Sequence, residues 1–272
     1  MHQIRPPAVA GAFYNGQRQQ LLSDVNTLLQ LAEPRTTHHT PPKALIVPHA
    51  GYIYSGSTAA TAYAQLQNWS HIIKRVILLG PVHYVPVRGL ALPGADVFAT
   101  PLGEINIDQE AIQAIAHLPQ VVLSPQAHER EHSLEVQLPF LQAVLDDFSL
   151  LPLAVGDATP SEIAEVLDIL WDGPETLIVI SSDLSHFLPY ENARQVDSQT
   201  VKTILAMQSS LSHEQACGGT PINGFLLAAR RHHLKPELLN LCNSGDTSGD
   251  KSRVVGYAAF AFYEEDDNET RS

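Results

Sequence analysis

Three short, continuously apolar runs that each lead into a histidine constrain the fold of this chain more than any other feature. The runs occupy residues 45–47, 76–79 and 177–180. They are too short and too uniformly apolar for amphipathic helices, so they are typical of buried strands in a parallel sheet. His49, His83 and His186 follow them within a few residues. Because ligands bind beyond the carboxyl ends of such strands, the pattern predicts that these imidazoles meet at a metal or proton-transfer site.

Strand and helix signals alternate along the chain and predict a single α/β domain. Its central sheet is expected to be mixed but largely parallel, with helices on both faces. The 272 residues and 44% hydrophobic content are enough for a substantial core. We expect this domain to span 1–264, followed by an acidic flexible tail at 265–272. The predicted helices are 17–31, 57–66, 109–117, 133–145, 159–170, 193–207 and 223–231, and the remaining predicted strands are 90–92, 150–155, 238–242 and 254–263.

The charge and the cysteine content limit the partners. A formal net charge of −13 repels phosphate backbones and anionic lipids, so we expect neither nucleic acid nor a membrane as partner. The first residues lack the apolar core of a secretory signal, which favours a cytoplasmic protein. The two cysteines are too few for a disulfide framework and are expected to be free thiols. A small molecule or a peptide is therefore the expected ligand. The sequence predicts no oligomeric state.

His49 and His83 are the first candidates for metal ligands. His49 lies in a Pro-His-Ala-Gly turn, which exposes the imidazole and lets a ligand approach the glycine backbone. His83 follows Gly80, where its strand is predicted to end. Either residue alone could be an ordinary turn histidine hydrogen-bonded to a carbonyl. Together they supply half of a tetrahedral site, because neutral imidazole is the commonest metal ligand.

The segment SSDLSH contributes a carboxylate and an imidazole that are three residues apart. Asp183 and His186 would lie on the same side of a turn, an arrangement that suits acid–base chemistry. Asp183 would either fix the tautomer of a histidine or cap the following turn. Serine hydrolysis is disfavoured, although Ser181, Ser182 and Ser185 stand nearby, because the sequence has no G-x-S-x-G motif.

A second polar pair, His132 and Glu135, is one helical turn apart at a predicted helix start. These side chains are candidates for metal ligands or for a general base, and Glu135 alternatively stabilises the helix N-terminus. The preceding residues 128–131 are interpreted as a solvated charged loop.

Cys217 stands before a pair of glycines at a predicted helix entrance. A thiol in such a position tends to have a lowered pKa, which would make it a better ligand or nucleophile. The alternative is a small core residue, and Cys242, in an apolar run, fits that alternative.

The succession of motifs along nearly the whole chain resembles the Memo family. The motifs are AVAGAFYNG, PHAGYIYSG, LLGPVHYVP, FATPLGEINID, EHSLEVQLPF, VISSDLSHF, CGGTPI and GYAAFAF. Bacterial and archaeal members carry the label AmmeMemoRadiSam system protein B. The family is similar in fold to the class III extradiol dioxygenases, which bind non-heme iron through two histidines and a carboxylate. The resemblance therefore implies an extradiol-dioxygenase-like α/β fold.

The resemblance also implies a site. Carried over by motif, His49, His83 and Cys217 would form the metal site, while Asp183 with His186 and His132 with Glu135 would line the same cleft as catalytic groups. Tyr84 replaces a second histidine that family members often carry. The cysteine in place of the dioxygenase glutamate means that oxygen activation does not follow from the resemblance alone.

Three functions from different classes compete at this stage. The first is a metal-binding redox or dioxygenase-like enzyme, with Fe(II) as the expected metal and Zn(II) or copper as alternatives. On a catecholic substrate, His186 would then act as base and His132 as a later acid. The second is a non-catalytic protein that holds a peptide or small ligand in the same cleft. The third is an amidase or transferase with Cys217 as nucleophile and His49 or His186 as base.

Overall fold

The computed structural model describes residues 3–32 and 38–265. The strands are β1 (Ile4–Arg5), β2 (Ala44–Val47), β3 (Arg75–Pro81), β4 (Leu90–Leu92), β5 (Val97–Thr100), β6 (Gly103–Asn106), β7 (Val121–Leu123), β8 (Ser149–Val155), β9 (Thr176–Ser181), β10 (His186–Leu188), β11 (Leu234–Asn243) and β12 (Val254–Glu264). The helices are α1 (Arg18–Leu31), α2 (Tyr52–Tyr63), α3 (Gln109–Ile115), α4 (Pro125–Glu129), α5 (His132–Glu135), α6 (Leu138–Val144), α7 (Pro160–Ile169), α8 (Tyr190–Leu205), α9 (Gly219–Arg231) and α10 (Ser244–Ser248). Of the tail predicted at 265–272, residues 266–272 lie outside the described residues.

A nine-stranded sheet organises the molecule. Eight strands follow the order β10-β12-β2-β9-β3-β8-β4-β7, and the ninth, β11, also pairs with β12. The four central strands β2, β9, β3 and β8 are mutually parallel, whereas β12 pairs antiparallel with β2, β10 and β11. The predicted mixed, largely parallel centre is therefore confirmed. Strands β1, β5 and β6 form a separate three-stranded sheet that the sequence analysis missed.

The central strands are buried on both faces, because side chains alternate between two hydrophobic cores. On β2, Leu45 and Val47 face one core, and Ala44 and Ile46 face the other. Helices α1, α2 and α6 cover the first core, while α7 and α9 cover the second. Helices on both faces are what a continuously apolar strand requires, and this part of the prediction is confirmed.

The neighbouring parallel strands β2, β9 and β3 end at the same edge of the sheet. Val47 of β2 pairs with Ser181 of β9, and Ile180 of β9 pairs with Leu79 of β3. The chain turns away from the sheet just beyond these pairs, so the residues two positions after each strand, His49, Asp183 and His83, are delivered to one place.

Helix boundaries differ from the prediction where tertiary contacts override local signals. Helix α2 begins at Tyr52 rather than residue 57, and its Gly56 packs so tightly on Leu28 of α1 that an added Cβ would lie 2.9 Å from a leucine methyl. The predicted helix 133–145 is two short helices, because Pro139 begins a new one. Helix α9 begins at Gly219, earlier than predicted.

No helix in the described parts of the chain is both long and apolar enough to cross a membrane.

Candidate metal centre

Three imidazoles meet beyond the carboxyl ends of the central strands. One ring nitrogen from each of His49, His83 and His132 lies within 4.8 Å of the corresponding nitrogens of the other two. The ring centroids of His49 and His83 are 5.3 Å apart, and those of His83 and His132 are 4.6 Å apart. The expectation that His49 and His83 come together from separate strands is therefore confirmed.

A buried hydrogen-bond network fixes the tautomer of His49. Ser181 Oγ donates its single proton to the carbonyl of Ser133 at 2.6 Å and accepts from Gln137 Nε2 at 2.8 Å. His49 Nδ1, 2.9 Å from the same oxygen, must therefore be the donor in that contact. The lone pair of His49 is then on Nε2, the atom that a metal would bind.

The orientation of the Gln137 amide follows from its other partners. Its Nε2 is 2.9 Å from the Pro48 carbonyl, which only accepts, and its Oε1 accepts from the Tyr63 hydroxyl at 2.9 Å. Burial lowers the pKa of His49 to about 3, with a further contribution from the nearby His83. His49 is thus neutral near pH 7, as metal coordination requires.

Glu131 orients His83. One carboxylate oxygen accepts from the backbone N–H of His83 at 2.6 Å, and the other lies 2.8 Å from Nδ1 of its ring. Burial would raise the pKa of Glu131, but hydrogen bonds from the ring and backbone of His83 and from Ser133 hold it at about 2. Because the carboxylate is ionised and can only accept, Nδ1 of His83 carries a proton, and Nε2 is the ring nitrogen left for a metal.

His132 packs against these groups with its ring. Its Nδ1 is 3.5 Å from Glu131 Oε1 and has no hydrogen-bond partner among the described residues. The ring stacks on His83 and contacts Phe13, with a centroid distance of 4.7 Å to the latter. Burial and the neighbouring His49 lower the pKa of His132 to about 4, so it also is neutral. Sequence reasoning left His132 as either a metal ligand or a proton-transfer group, and the geometry groups it with the candidate ligands.

Cys217 reaches the same space from the loop before α9. Its Sγ is 3.3 Å from Nε2 of His49 and 3.6 Å from the carbonyl of Asp183. The expected lowering of its pKa is wrong, because burial, reinforced by the charge of Asp183, raises the pKa of the thiol to about 12. Without a cation nearby, this thiol stays protonated.

Asp183 connects the two loops that carry His49 and Cys217. Its Oδ1 accepts from the backbone N–H of His49 at 2.7 Å and of Ala50 at 3.3 Å, and its carbonyl accepts from the N–H of Cys217 at 3.3 Å. The expectation that Asp183 fixes a histidine tautomer is not met by these bonds, since Ser181 and Glu131 do so. Burial raises the pKa of the Asp183 carboxyl.

A cleft of about 850 Å³ opens beside the imidazoles. His83, Cys217 and His186 lie in its wall, together with apolar side chains such as Val87 and Leu188. His186 is the first residue of β10 and lies outside the three-histidine group. The cleft is large enough for a small-molecule ligand that approaches the imidazoles.

Glu135 does not line this cleft, which corrects the prediction. Its carboxylate is completely buried and binds the Arg5 guanidinium, the backbone N–H groups of Ala8 (2.7 Å) and Val9 (3.0 Å), and the Tyr14 hydroxyl (2.6 Å). Every one of these partners comes from the N-terminal segment. Glu135 therefore holds that segment in place.

The second site residue that sequence reasoning misplaced is Glu131. Residues 128–131 were expected to be solvated, but Glu131 is only 2% exposed and His128 only 1%. Two signals were available in the sequence. Glu131 directly precedes a candidate histidine, and it stands at the N-cap of α5, where it accepts from the N–H of Ser133. Ser181 and Gln137 gave no comparable signal, because their roles depend on contacts between distant elements.

The arrangement has the chemistry of a transition-metal site. Three imidazoles and an adjacent thiol provide nitrogen and sulfur donors, and two of the imidazoles have their second nitrogen fixed by a hydrogen bond. Because His83 and Cys217 line the cleft, a ligand would be able to reach a metal bound to them.

Comparison with known proteins gives a consistent assignment. A family model described as "Memo-like protein" matches residues 5–261. Proteins named "MEMO1 family protein" from Sulfurisphaera tokodaii and Aquifex aeolicus are each 36% identical, over 95% of this chain and 99% of the relative. One from Archaeoglobus fulgidus is 34% identical over the same shares.

The α/β fold and the histidine cluster thus define a protein with a candidate metal centre at a sheet edge. The chain belongs to the Memo family. Among solved structures, an uncharacterized protein from Escherichia coli K12 has a TM-score of 0.49 and 14% identity, over 80% of this chain and 98% of that one.

Proposed function

We propose that this protein is a metal-dependent redox enzyme of dioxygenase-like type whose metal is held by His49, His83 and Cys217, with His132 as a fourth donor in reach. The convergence of three imidazoles within 4.8 Å is the observation that carries the proposal. For Cys217, the support is its distance of 3.3 Å from His49 Nε2. Two ligands of one metal, with bonds of about 2.0–2.3 Å, would be separated by a similar distance.

The donor set favours Fe(II), with Zn(II) or copper as alternatives. Imidazole suits all three metals, and a thiolate would favour the softer ones. A bound metal would polarise an oxygen ligand and, if redox-active, exchange electrons with it. A reducing, cytoplasmic compartment would keep Cys217 available as a thiol.

The side chains around the metal would bind and position the substrate. His186, in the cleft wall, is placed to accept a proton from a substrate hydroxyl. Asp183 keeps the loops of His49 and Cys217 together through its backbone contacts. The apolar wall of the cleft excludes water from the reacting atoms.

Anaerobic purification followed by metal analysis tests the proposal. Wild-type protein is expected to carry about one metal per chain, and a His49→Ala/His83→Ala double variant is expected to carry none. His71→Ala/His117→Ala, two histidines outside the site, is the matched control and should retain the metal. Equal metal content in wild-type protein and the double variant at positions 49 and 83 would refute the assignment.

Cobalt substitution distinguishes the third ligand. Cobalt(II) bound through Cys217 is expected to show a thiolate charge-transfer absorption that disappears in Cys217→Ser and persists in His132→Ala. Absence of this absorption in wild-type protein, with binding lost in His132→Ala, would assign the site to three histidines instead. Cys242→Ser serves as the control for thiol loss.

The contact between Cys217 and His49 also favours a second candidate, a cysteine nucleophile activated by His49. Alkylation with iodoacetamide separates the two functions. Protection of Cys217 by bound metal is expected for coordination, whereas rapid labelling of the metal-loaded protein near pH 7 would support the nucleophile. The raised pKa of this thiol favours the first outcome. A protein that binds small ligands but turns over none of them would indicate the non-catalytic alternative.

A further inference from the structure

The charge distribution around the cleft carries information about its ligand that the metal centre does not. The carboxylates that line the cleft are Asp157 and Glu214, and the titratable nitrogen groups in its lining are the imidazoles of His83, His186 and His213. Neither lysine nor arginine is among the described lining residues. Asp157 follows the end of β8, and Glu214 lies on the loop that leads to Cys217. Both side chains are exposed to solvent at the rim.

The charges beside the two acids differ. A hydrogen bond with Ser212 lowers the pKa of Glu214, so this carboxylate is ionised. Arg88 lies beside Asp157 and donates to the Asp157 carbonyl at 2.8 Å. The guanidinium of Arg88 is engaged by both carboxylate oxygens of Glu162, at 3.2 and 2.5 Å, which compensates its charge.

The walls between the rim and the imidazoles are apolar. Val82, Val87, Val155, Leu188 and Val196 provide most of this surface. A volume of about 850 Å³ lies in the range of cavities that enclose small organic ligands. A cleft lined by one sign of charge and by low-dielectric walls concentrates counter-ions of the other sign.

We propose that this cleft selects a small molecule with an apolar, ring-sized body and a cationic amine, and that it rejects carboxylate- and phosphate-bearing ligands of the same shape. The proposal rests on the proposed function, because it assigns a ligand class to the cleft at the metal centre. The amine would interact with Asp157 and Glu214 at the rim, and the apolar body would contact the valine and leucine walls. An anionic ligand would meet two carboxylates at the rim and no lysine or arginine among the described lining residues.

Three fluorescent probes of nearly equal shape test this selection: naphthylethylamine, naphthylethanol and naphthylacetate. Each is titrated into metal-free protein and into metal-loaded protein at low salt. The amine is expected to bind at least about fivefold more tightly than the alcohol, and the acid most weakly, as expected for charges that interact near a protein surface. The preference should decrease at high ionic strength.

Charge-neutralising variants localise the effect. Glu214→Gln and Asp157→Asn should each reduce the ratio of amine to alcohol affinity, and the double variant should abolish it. Glu104→Gln, an exposed acid on the three-stranded sheet, changes the net charge equally and should leave the ratio unchanged. Circular dichroism checks that the variants fold, which surface positions of this kind permit.

Equal binding of the three probes, tighter binding of the acid in metal-free protein, or no binding of any probe would overturn the proposal. An unchanged ratio in the double variant would also overturn it. Asp157 and Glu214 would interact with the amine whether or not a metal is bound. The amine preference measured in metal-free protein therefore does not depend on the result of the metal analysis. Loss of metal binding with a retained amine preference would therefore refute the proposed function alone.

Discussion

At the scale of single residues, the second nitrogen of each imidazole determines what the site can bind. Ser181 and Glu131 hold the Nδ1 atoms of His49 and His83, so Nε2 is the nitrogen that each ring offers to a metal. A hydroxyl and a carboxylate reach the same result in different ways. Ser181 must accept because its proton is already used, whereas Glu131 must accept because it is ionised.

Ser181→Ala is expected to weaken metal binding about 10- to 100-fold, because it removes the acceptor that fixes the His49 tautomer. The measurement is competition for metal with a chromogenic chelator. Thr176→Val is the matched control, since Thr176 is a buried hydroxyl at the other end of β9 with no hydrogen-bond partner among the described residues. Unchanged affinity in Ser181→Ala would show that the serine does not position the ring.

At the scale of elements, polar contacts attach separate segments to the sheet. Arg5 donates to the carbonyls of His128 (2.9 and 3.0 Å) and Glu131 (2.8 Å) and pairs with Glu135, so the N-terminal segment is bound to helices α4 and α5. Phe13 of the same segment contacts His132. The N-terminal residues thus support one side of the candidate metal centre.

Glu135→Gln is expected to cost about 3–5 kcal/mol of unfolding free energy, because it leaves the buried Arg5 charge without its counter-charge. Urea denaturation measures the loss. Metal content of the folded variant should stay at the wild-type level, because Glu135 binds the N-terminal segment and not the imidazoles. Glu129→Gln, at an exposed acid of the preceding helix, should have little effect. A stable Glu135→Gln protein without metal would contradict this assignment.

Asp108, the N-cap of α3, gives the stability a defined pH dependence. Burial would raise the pKa of Asp108, but hydrogen bonds from Ala111, Arg75 and Ser149 lower it below the ordinary value. A lowered folded-state pKa stabilises the fold above the unfolded-state value, near pH 4, and this stabilisation is lost as the pH falls through the folded-state value.

Asp108→Asn retains a capping side chain but loses the ion pair with Arg75, so we expect about 1–2 kcal/mol of destabilisation at pH 7. The difference from wild type should shrink below about pH 4, as measured by urea denaturation at several pH values. Asp147→Asn, at an exposed acid, is the control. A difference that does not change with pH would rule out the ion pair as its source.

At the scale of the whole molecule, the candidate ligands come from distant parts of the chain. His49 follows β2, His83 follows β3, and His132 begins α5. These positions come together only in the folded state, so a metal should bind the native protein much more tightly than the unfolded chain. Metal binding and global stability are therefore linked.

Addition of Zn(II) or, anaerobically, Fe(II) at about 100 times the dissociation constant is expected to stabilise the fold by about 2.7 kcal/mol. For a chain of this size, this corresponds to a rise in Tm of roughly 5–10 °C. Scanning calorimetry on wild-type protein and on the His49→Ala/His83→Ala variant measures the effect. An equal rise in both proteins would place the stabilising metal elsewhere.

The sequence by itself determined the central strands β2, β3 and β9 and the edge at which His49 and His83 meet. A continuous apolar run followed by a polar turn is a local pattern, and parallel neighbours must end at one edge. Only the tertiary structure decided the partners of these residues. It buried Glu131 against His83, turned Glu135 toward Arg5 and raised the pKa of Cys217. Burial, hydrogen-bond direction and pKa depend on contacts between segments far apart in the chain, and such contacts leave no periodic signal in the sequence.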